Sequence, residues 1–301
     1  MPFESQCAHL IQQLETLIHE EGVTQTAIAG LSISKISHTS DFTCSIYEPS
    51  VCFIAQGSKQ INLADQNYTY DASSYLISSV HLPLSGKILE ASETLSYLAV
   101  KLTFTLDQIM DAVREMDTSL GRVCTKQCEC ALVIGQMDTA LFDALIRLIA
   151  LLQTPKMITT LAPLIIKEIL YRLLDHHPQM FMKQFAMMGS YAYRIMQAIY
   201  HINTHFEEPL RISQMAHSFG MSNSLFHRNF KKVTALTPIQ YQKKVRLQMA
   251  RKLLLSQHVD AATASFQVGY ASPSQFSREY TRMFGLPPRT DTKHTLDHLP
   301  L

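Results

Sequence analysis

The chain has 301 residues, of which 47% are hydrophobic and 17% charged, so it is long enough to form two domains that each bury a core. No apolar run approaches the roughly 18 residues that a membrane-spanning helix needs, which argues against an integral membrane protein. The N-terminus lacks a basic start followed by an apolar block, and the six cysteines are unevenly spaced. We therefore expect a reduced, cytoplasmic protein.

The net charge of +1 conceals two halves of opposite sign. Residues 1–189 contain 12 Lys and Arg against 19 Asp and Glu, a net charge of −7. Residues 190–301 contain 14 against 6, a net charge of +8. A basic half of this size favours contact with a polyanion. We predict a domain boundary between Gly189 and Ser190, where the composition changes.

The acidic half begins with a predicted amphipathic helix and continues as short strands. Between residues 29 and 104 apolar and polar side chains alternate, for example from Leu98 to Phe104, and turn residues separate the runs. Many short strands at this spacing indicate a small antiparallel barrel or a double sheet. Two apolar stripes at helical spacing follow, and they suit either core packing or a seam between two copies. They comprise Leu141, Leu145, Leu148 and Leu152, then Leu161, Ile165, Ile169 and Leu173.

One helical segment occurs twice in the basic half, with its copies fifty residues apart. The first copy contains Ser224, Phe226, Arg228, Phe230, Lys232, Leu236 and Pro238, and the second contains Ser274, Phe276, Arg278, Tyr280, Arg282, Leu286 and Pro288. In each copy two aromatic residues four apart share one helix face, while the arginine between them points elsewhere. A short helix and a glycine that can adopt a left-handed conformation precede each copy. This order predicts two helix-turn-helix motifs, which indicate a protein that reads duplex DNA.

Capping residues define the predicted helix starts in this half. Ser222 and Ser272 suit the N-terminal caps of the two recognition helices, and Thr237 suits the cap of a long helix that runs to about Leu255. A helix of about 18 residues spans roughly 27 Å. It can therefore hold the two recognition helices about one DNA turn apart, which is roughly 34 Å.

The basic half resembles the DNA-binding domain of the AraC/XylS family of bacterial transcription regulators. The likeness extends from about Arg194 to Pro288 and rests on INTHFEEPL (from Ile202), Met215-Ala216, GMSNSLFHRNFKKVTALTPIQYQKKVRLQMARKLL (from Gly220) and VGYASPSQFSREYTRMFGLPP (from Val268). The acidic half resembles the sensory domain of one branch of this family, through YEPSVCFIAQGSK (from Tyr47), YDASSYLISSVHLPLSG (from Tyr70) and LAPLIIKEILYRLL (from Leu161). Arg211 replaces the Ser or Thr that usually caps the scaffold helix of the first motif, so we expect a less firm helix start there.

The resemblance implies an α+β protein with two domains. Residues 1–189 are expected to form a cupin-like β-barrel with flanking helices, which binds an effector and dimerises. Residues 190–301 are expected to form an all-α domain of seven helices that contains both helix-turn-helix motifs. Activation of nearby genes, through contact with RNA polymerase, is the commoner outcome in this family, and repression is the alternative.

The outward positions of the two repeats match the family's base-contacting positions. These are Ser224, His227, Arg228, Ser274, Gln275 and Arg278. Arginine can form a bidentate contact with guanine, and glutamine with adenine. Phosphate contacts, which set affinity but not sequence preference, are assigned to Ser222, Lys231, Lys232, Lys243, Lys244, Ser272 and Arg282. For each single residue a solvated helix face is the alternative interpretation.

Candidate effector contacts in the first half are less specific. Tyr47, Phe53, Tyr75, His81 and Tyr97 could line a pocket, and each could equally be part of the core. His38 and His81 are too far apart in sequence to suggest a metal-binding cupin, so we expect no metal or other cofactor. The cluster Cys124, Cys128 and Cys130 lies near basic residues, which favours thiolate, but its spacing is not that of a standard zinc module.

Taken together, these patterns predict a cytoplasmic, homodimeric transcription regulator that binds a double-stranded DNA operator and a small-molecule effector. It is not expected to be an enzyme or to contact a membrane. Two alternatives stay open. One is a thiol- or metal-responsive regulator that uses Cys124, Cys128 and Cys130, and the other is a cupin-type enzyme with accessory DNA binding.

Overall fold

The computed structural model describes residues 3–63, 66–117, 131–176, 191–257 and 259–297. Within these ranges, ten β-strands and four α-helices lie before residue 177, and seven α-helices lie after residue 190. The predicted α+β class, with a β-rich part followed by a helical part, is confirmed. The predicted boundary between Gly189 and Ser190 falls outside the described residues and stays a prediction.

The ten described strands between Gly22 and Gln136 form two antiparallel sheets. Their strands are β1 (Gly22–Gln25), β2 (Leu31–Ile36), β3 (Thr43–Tyr47), β4 (Ser50–Gln56), β5 (Ser58–Leu63), β6 (Gln66–Asp71), β7 (Ser74–Ser78), β8 (Leu82–Glu90), β9 (Tyr97–Thr103) and β10 (Leu132–Gln136). The first sheet has the order β1-β2-β9-β4-β7-β10, and the second has the order β3-β8-β5-β6. In the described strands the two sheets share no ladder, so the predicted double sheet is present and closure into a barrel is not seen.

Four helices flank the two sheets. They are α1 (Phe3–Leu17), α2 (Leu106–Asp117), α3 (Thr139–Ala150) and α4 (Pro155–His176). Helix α1 packs on β4 and on α3, and the rings of Phe3 and Phe142 meet edge to face at 5.3 Å. The two predicted apolar stripes lie mainly in this core, since Leu145 and Ile169 are both inaccessible to solvent. Most of their side chains therefore stabilise the domain itself rather than a seam between copies.

Seven helices form the basic part. They are α5 (Tyr191–Thr204), α6 (Ile212–Ser218), α7 (Asn223–Thr234), α8 (Pro238–Ser256), α9 (Ala261–Gln267), α10 (Pro273–Phe284) and α11 (Pro288–Asp297). The predicted long helix is α8, which begins with a capping box between Thr237 and Gln240. Arg211 precedes α6 and makes no side-chain capping hydrogen bond, in agreement with the expected weaker helix start.

The two parts of the chain touch through the long helix α8. The hydroxyl of Tyr241 donates a hydrogen bond of 2.9 Å to the backbone oxygen of His81, which follows β7. The same hydroxyl accepts a hydrogen bond of 3.0 Å from the side chain of Asn203 on α5. This contact joins the segment between β7 and β8 to the helix that lies between the two predicted helix-turn-helix motifs. In the part of the chain that the structure describes, no helix is both long enough and apolar enough to span a lipid bilayer.

Candidate DNA-binding surface

Helices α7 and α10 are the two predicted recognition helices, and their aromatic residues fix them to the core. Phe226 and Phe230 on α7 are fully buried with ring centroids 5.7 Å apart. Phe276 and Tyr280 on α10 are fully buried with centroids 5.4 Å apart. Because each pair covers one face of its helix, the opposite face is left for solvent or a ligand.

The N-terminus of each recognition helix is capped as predicted. The hydroxyl of Ser222 accepts a hydrogen bond from the backbone nitrogen of Leu225, and the hydroxyl of Ser272 accepts one from the backbone nitrogen of Gln275. The preceding glycines, Gly220 and Gly269, have φ angles of +64° and +85°. Left-handed turns therefore precede both helices, as the sequence indicated.

The predicted base-contacting side chains lie on the open faces of the two helices. Ser224 and Arg228 on α7 are exposed, as are Ser274, Gln275 and Arg278 on α10, and His227 is half-buried. Neither Arg228 nor Arg278 forms a hydrogen bond or ion pair with any residue in the described ranges. Both guanidinium groups occupy the same position in their motif and can supply all their donors to an external partner.

Glu279 on α10 organises part of this surface. Its carboxylate accepts hydrogen bonds from Lys243 at 2.7 Å, from Gln275 at 3.1 Å and from the hydroxyl of Tyr270 at 2.8 Å. Burial alone would raise the pKa of Glu279, but these hydrogen bonds and the charge of Lys243 outweigh burial and lower the pKa. Gln275 and Lys243, predicted to contact a base and a phosphate, are therefore oriented by Glu279, and each keeps further hydrogen-bonding capacity for DNA.

The other predicted phosphate contacts lie at the edges of the same surface. Lys231 at the end of α7 and Arg282 at the end of α10 are exposed, whereas Lys232 and Lys244 are half-buried. Exposed cations of this kind raise affinity for any duplex DNA, because phosphate contacts carry no sequence information. Their distribution on both motifs extends the positive charge along the surface.

Arg246 on α8 connects the segment between α5 and α6 to the turn of the second motif, a role that the sequence did not reveal. Its guanidinium donates hydrogen bonds to backbone oxygens of Phe206, Glu207 and Glu208, and also to that of Gly269. A Cβ added at Gly269 would lie 2.1 Å from the backbone oxygen of Glu207. Glycine is thus required there for both its conformation and its size. A positive charge in a long predicted helix was the only available signal, and it did not distinguish Arg246 from its neighbours.

Arg194 performs a similar task in the first motif. It extends from α5 to the turn before α7, where it donates hydrogen bonds to the backbone oxygens of Phe219 and Gly220 at 3.3 and 3.2 Å. Arginine suits this task because its planar group offers several donors in fixed directions. The positions of both recognition helices therefore depend on arginines that are absent from the predicted contact surface.

The structure does not bring the five predicted effector contacts into one pocket. Tyr47 and Tyr97 face the space between the two sheets. Phe53 and Tyr75, with ring centroids 5.9 Å apart, lie on the opposite face of the first sheet, beneath the helices. His81 lines a cavity of about 740 Å³ between the strands and α5, and burial lowers its pKa. Strand alternation explains the separation, because Phe53 and Tyr97 occupy opposite faces of paired strands.

Some of the cysteines lie within the described residues and others lie outside them. Cys52 on β4 is buried, and burial raises the pKa of its thiol. Cys124, Cys128 and Cys130 lie outside the described residues. Elsewhere in the described ranges, no group of three His, Cys, Asp or Glu side chains is arranged to bind a metal ion.

Two family models match this chain. The model described as "AraC-type transcriptional regulator N-terminus" matches residues 27–180, and the model described as "Helix-turn-helix domain" matches residues 215–294. The first of these covers more than half of the chain and includes nine of the ten described strands, all except β1, whereas the second includes both recognition helices.

Curated relatives are similar over a shorter length. The chain is 27% identical over 117 residues to the lactose operon transcription activator of Staphylococcus xylosus, which covers 39% of this chain and 41% of the relative. It is 31% identical over 96 residues to the transcriptional activator RhaS of Klebsiella pneumoniae strain 342, which covers 32% of this chain and 34% of the relative. The chain thus spans about a third to two-fifths of the length of these relatives.

A solved structure is similar over nearly the whole chain. ToxT of Vibrio cholerae strain SCE256, in a crystal structure with bound unsaturated fatty acid, has a TM-score of 0.58 and 11% identity. The match covers 91% of this chain and 97% of ToxT. At this identity the likeness concerns the fold alone, and it extends over the double sheet and the helical part together.

Proposed function

This chain belongs to the family of AraC-type transcriptional regulators. We propose that it binds a specific duplex DNA sequence and controls transcription as an activator. The observation that carries the proposal is the pairing of Arg228 and Arg278. They are exposed at matching positions of two capped helices, and neither has a partner among the described residues. Two such helices on one chain suit successive major-groove segments about one DNA turn apart.

The first domain supplies control in this proposal. A small-molecule effector binds there, and the contact between Tyr241 and the backbone of His81 gives a route from the strands to the long helix α8. The second copy of a homodimer would pack on α4, where Met157 and Leu164 are 48% and 61% exposed although both are apolar. RNA polymerase is the further partner that activation requires. Its DNA target places the protein in the cytoplasm.

Selection from random DNA tests the proposal. The full chain is incubated with a pool of random duplexes, and the bound fraction is sequenced over several rounds. We expect a bipartite motif whose two parts are about one helical turn apart. Arg228→Ala should relax the preference at one position of one part, and Arg278→Ala at one position of the other. Failure of any sequence to enrich would contradict the proposal.

The two alternative functions have their own tests. Replacing Cys124, Cys128 and Cys130 by serine leaves the transcriptional response unchanged if the effector is a small molecule, and abolishes it if the thiols are the sensor. A cupin-type enzyme would show turnover of a small substrate after addition of divalent metal ions. We infer control of transcription rather than catalysis, because the similar curated proteins are transcription regulators.

A further inference from the structure

A cavity of about 800 Å³ lies between the first domain and the long helix α8. Cys44 and Ile46 on β3 form part of one side, and Gln248 and Met249 on α8 form part of the other, so we call it the β3–α8 cavity. Along β3, Cys44 and Ile46 alternate with Tyr47 and project from the face opposite to that ring. The cavity is therefore separate from the space between the two sheets. Its volume falls in the range of small-molecule sites, which is about 300–1,000 Å³.

Gln248 supplies a buried polar group that nothing in the described chain satisfies. The residue is only 8% exposed, and both its amide nitrogen and its amide oxygen are buried without a hydrogen-bond partner. Among the buried side chains that the structure describes, it is the only one with an unpaired donor and an unpaired acceptor together. Leaving a buried amide unpaired is costly, so a molecule that pairs with both atoms gains free energy from this side chain.

The charged groups around the β3–α8 cavity need no charged ligand. Arg251 already forms two hydrogen bonds of 2.8 Å with the carboxylate of Asp291. Glu48 is exposed and lies 3.9 Å from the ammonium nitrogen of Lys101, and Lys252 is exposed to water. No buried charge on the wall is therefore left to attract an ion of opposite sign, and an uncharged ligand suits the cavity best.

Apolar side chains complete the wall on both sides. Ile46 on β3 is half-buried, as are Met249 and Leu255 on α8, and Val245 is buried. These groups can pack against an apolar ring, while the amide of Gln248 needs a partner that offers a donor and an acceptor side by side. A cis-amide within a ring has this arrangement, because its N–H and C=O lie on the same edge.

We propose that the β3–α8 cavity binds a small uncharged molecule with a cyclic cis-amide edge. The ligand N–H donates a hydrogen bond to Oε1 of Gln248, and Nε2 of Gln248 donates one to the ligand carbonyl oxygen. The ring of the ligand packs between Ile46 and Met249. A carboxylate has no donor for Oε1, and an ammonium group has no acceptor for Nε2. That this ligand controls DNA binding rests on the proposed function, whereas its binding does not.

A ligand in the β3–α8 cavity would contact both parts of the chain. His81 and Asn203 also line the cavity, and both are hydrogen-bonded to the hydroxyl of Tyr241. On β3, Sγ of Cys44 lies 3.8 Å from the backbone oxygen of Met283 on the recognition helix α10. The cavity thus lies where the first domain meets the long helix and the second recognition helix.

Ligand-observed NMR titration of the full chain tests the proposal, with 2-pyridone and N-methyl-2-pyridone as probes. The two probes share a ring and a carbonyl group, but only 2-pyridone has the N–H donor. We expect 2-pyridone to bind at least about tenfold more tightly. Gln248→Leu should weaken 2-pyridone binding at least about tenfold and remove the preference between the probes. Gln214→Leu is the matched control, since Gln214 is exposed on α6 away from this cavity, and 2-pyridone binding should not change.

The methyl resonances of isotope-labelled methionines give the position of the bound probe in the wild-type chain. 2-Pyridone should shift the resonance of Met249, which lines the cavity, and leave that of Met157 on α4 unchanged. The melting temperature of Gln248→Leu should not fall, because the variant replaces an unpaired amide with an apolar group of similar size. This measurement separates lost binding from lost folding.

Four outcomes would overturn the proposal. 2-Pyridone fails to bind the wild-type chain at about 20 mM, a concentration at which a probe of this size should be detected. It binds no better than N-methyl-2-pyridone, it binds Gln248→Leu as well as wild type, or it binds without shifting the resonance of Met249. A lower melting temperature for Gln248→Leu would also count against it, because the amide would then be satisfied within the folded chain.

Selection of DNA without ligand separates this proposal from the proposed function. Gln248→Leu should enrich the same DNA motif as the wild-type chain. If the motif enriches and 2-pyridone does not bind, only the assignment of the cavity is wrong. If 2-pyridone binds as expected and no motif enriches, the cavity assignment stands and the DNA-binding role is wrong.

Discussion

Arg246 donates a hydrogen bond of 2.8 Å to the backbone oxygen of Gly269, and this contact joins the turn of the second motif to the long helix α8. The same guanidinium binds backbone oxygens near the end of α5. The turn before the recognition helix α10 is therefore held by contacts away from the exposed face of that helix. Stability at this junction and DNA recognition should depend on separate residues.

Gly269→Ala should destabilise the protein by at least about 1–3 kcal/mol, because the new Cβ meets a backbone oxygen and a left-handed conformation becomes strained. Gly285→Ala is the matched control, since Gly285 has a similar φ of +82° and no atom within 4 Å of the added Cβ. Urea denaturation gives the free energy of unfolding of both variants. The difference between their losses measures the steric clash of the new Cβ at position 269 alone. Equal losses would show that space at Gly269 is unimportant.

Arg228→Ala should cost about 1–3 kcal/mol of affinity for the selected DNA motif and relax its specificity at one position. Lys231→Ala should instead weaken binding to selected and random DNA alike, and reduce the dependence of affinity on salt concentration. Fluorescence anisotropy at several salt concentrations, with both kinds of DNA, measures these effects. If the two variants lose affinity in the same pattern, the division into base and phosphate contacts is wrong.

Asp291 on α11 should be more important to stability than its position near the end of the sequence suggests. It is 4% exposed, accepts two hydrogen bonds of 2.8 Å from Arg251, and accepts one of 2.7 Å from the hydroxyl of Tyr280 on the recognition helix α10. Asp291→Ala should cost about 3–5 kcal/mol, because it removes a buried carboxylate that accepts three hydrogen bonds. Tyr280→Phe should cost about 1.5–3 kcal/mol. Chemical denaturation should rank the variants in that order, and the reverse order would contradict the assignment.

Stability should fall as the solution becomes more acidic, in part through Glu279. Its pKa is lower in the folded chain, so its contribution is present above the ordinary glutamate pKa of about 4.3 and is lost as the pH falls through the lower folded value. Glu279→Gln should reduce this part of the pH dependence. Glu15→Gln, on an exposed position of α1, is the control for loss of a negative charge. Denaturation at a series of pH values gives the slope of the free energy of unfolding against pH for each variant. A slope for Glu279→Gln that equals the wild-type slope would refute the assigned role.

Local patterns were sufficient to predict which side chains of the two recognition helices are buried, which cap them and which are exposed. Phe226, Phe230, Phe276 and Tyr280 face the core because residues four apart share one side of a helix, and Ser222 and Ser272 cap helices because their side chains reach backbone nitrogens within one turn. These relationships involve neighbours in the chain, so the sequence displays them directly. The same reasoning predicted the exposure of Arg228 and Arg278.

Which residues pair with one another within each domain could be known only from the tertiary structure. Alternation along a strand shows that Phe53 and Cys52 face opposite sides, but only sheet pairing decides which side the helices cover and which side faces the second sheet. In the sequence, Arg246 cannot be distinguished from the other basic residues of α8. In the folded chain, the backbone oxygens of Glu207 and Gly269 lie beside it. The sequence by itself determined which segments become helices and which faces are apolar, because those properties depend on near neighbours. Folding decided which charges are paired, compensated or left for a ligand, because those properties depend on residues distant in the chain.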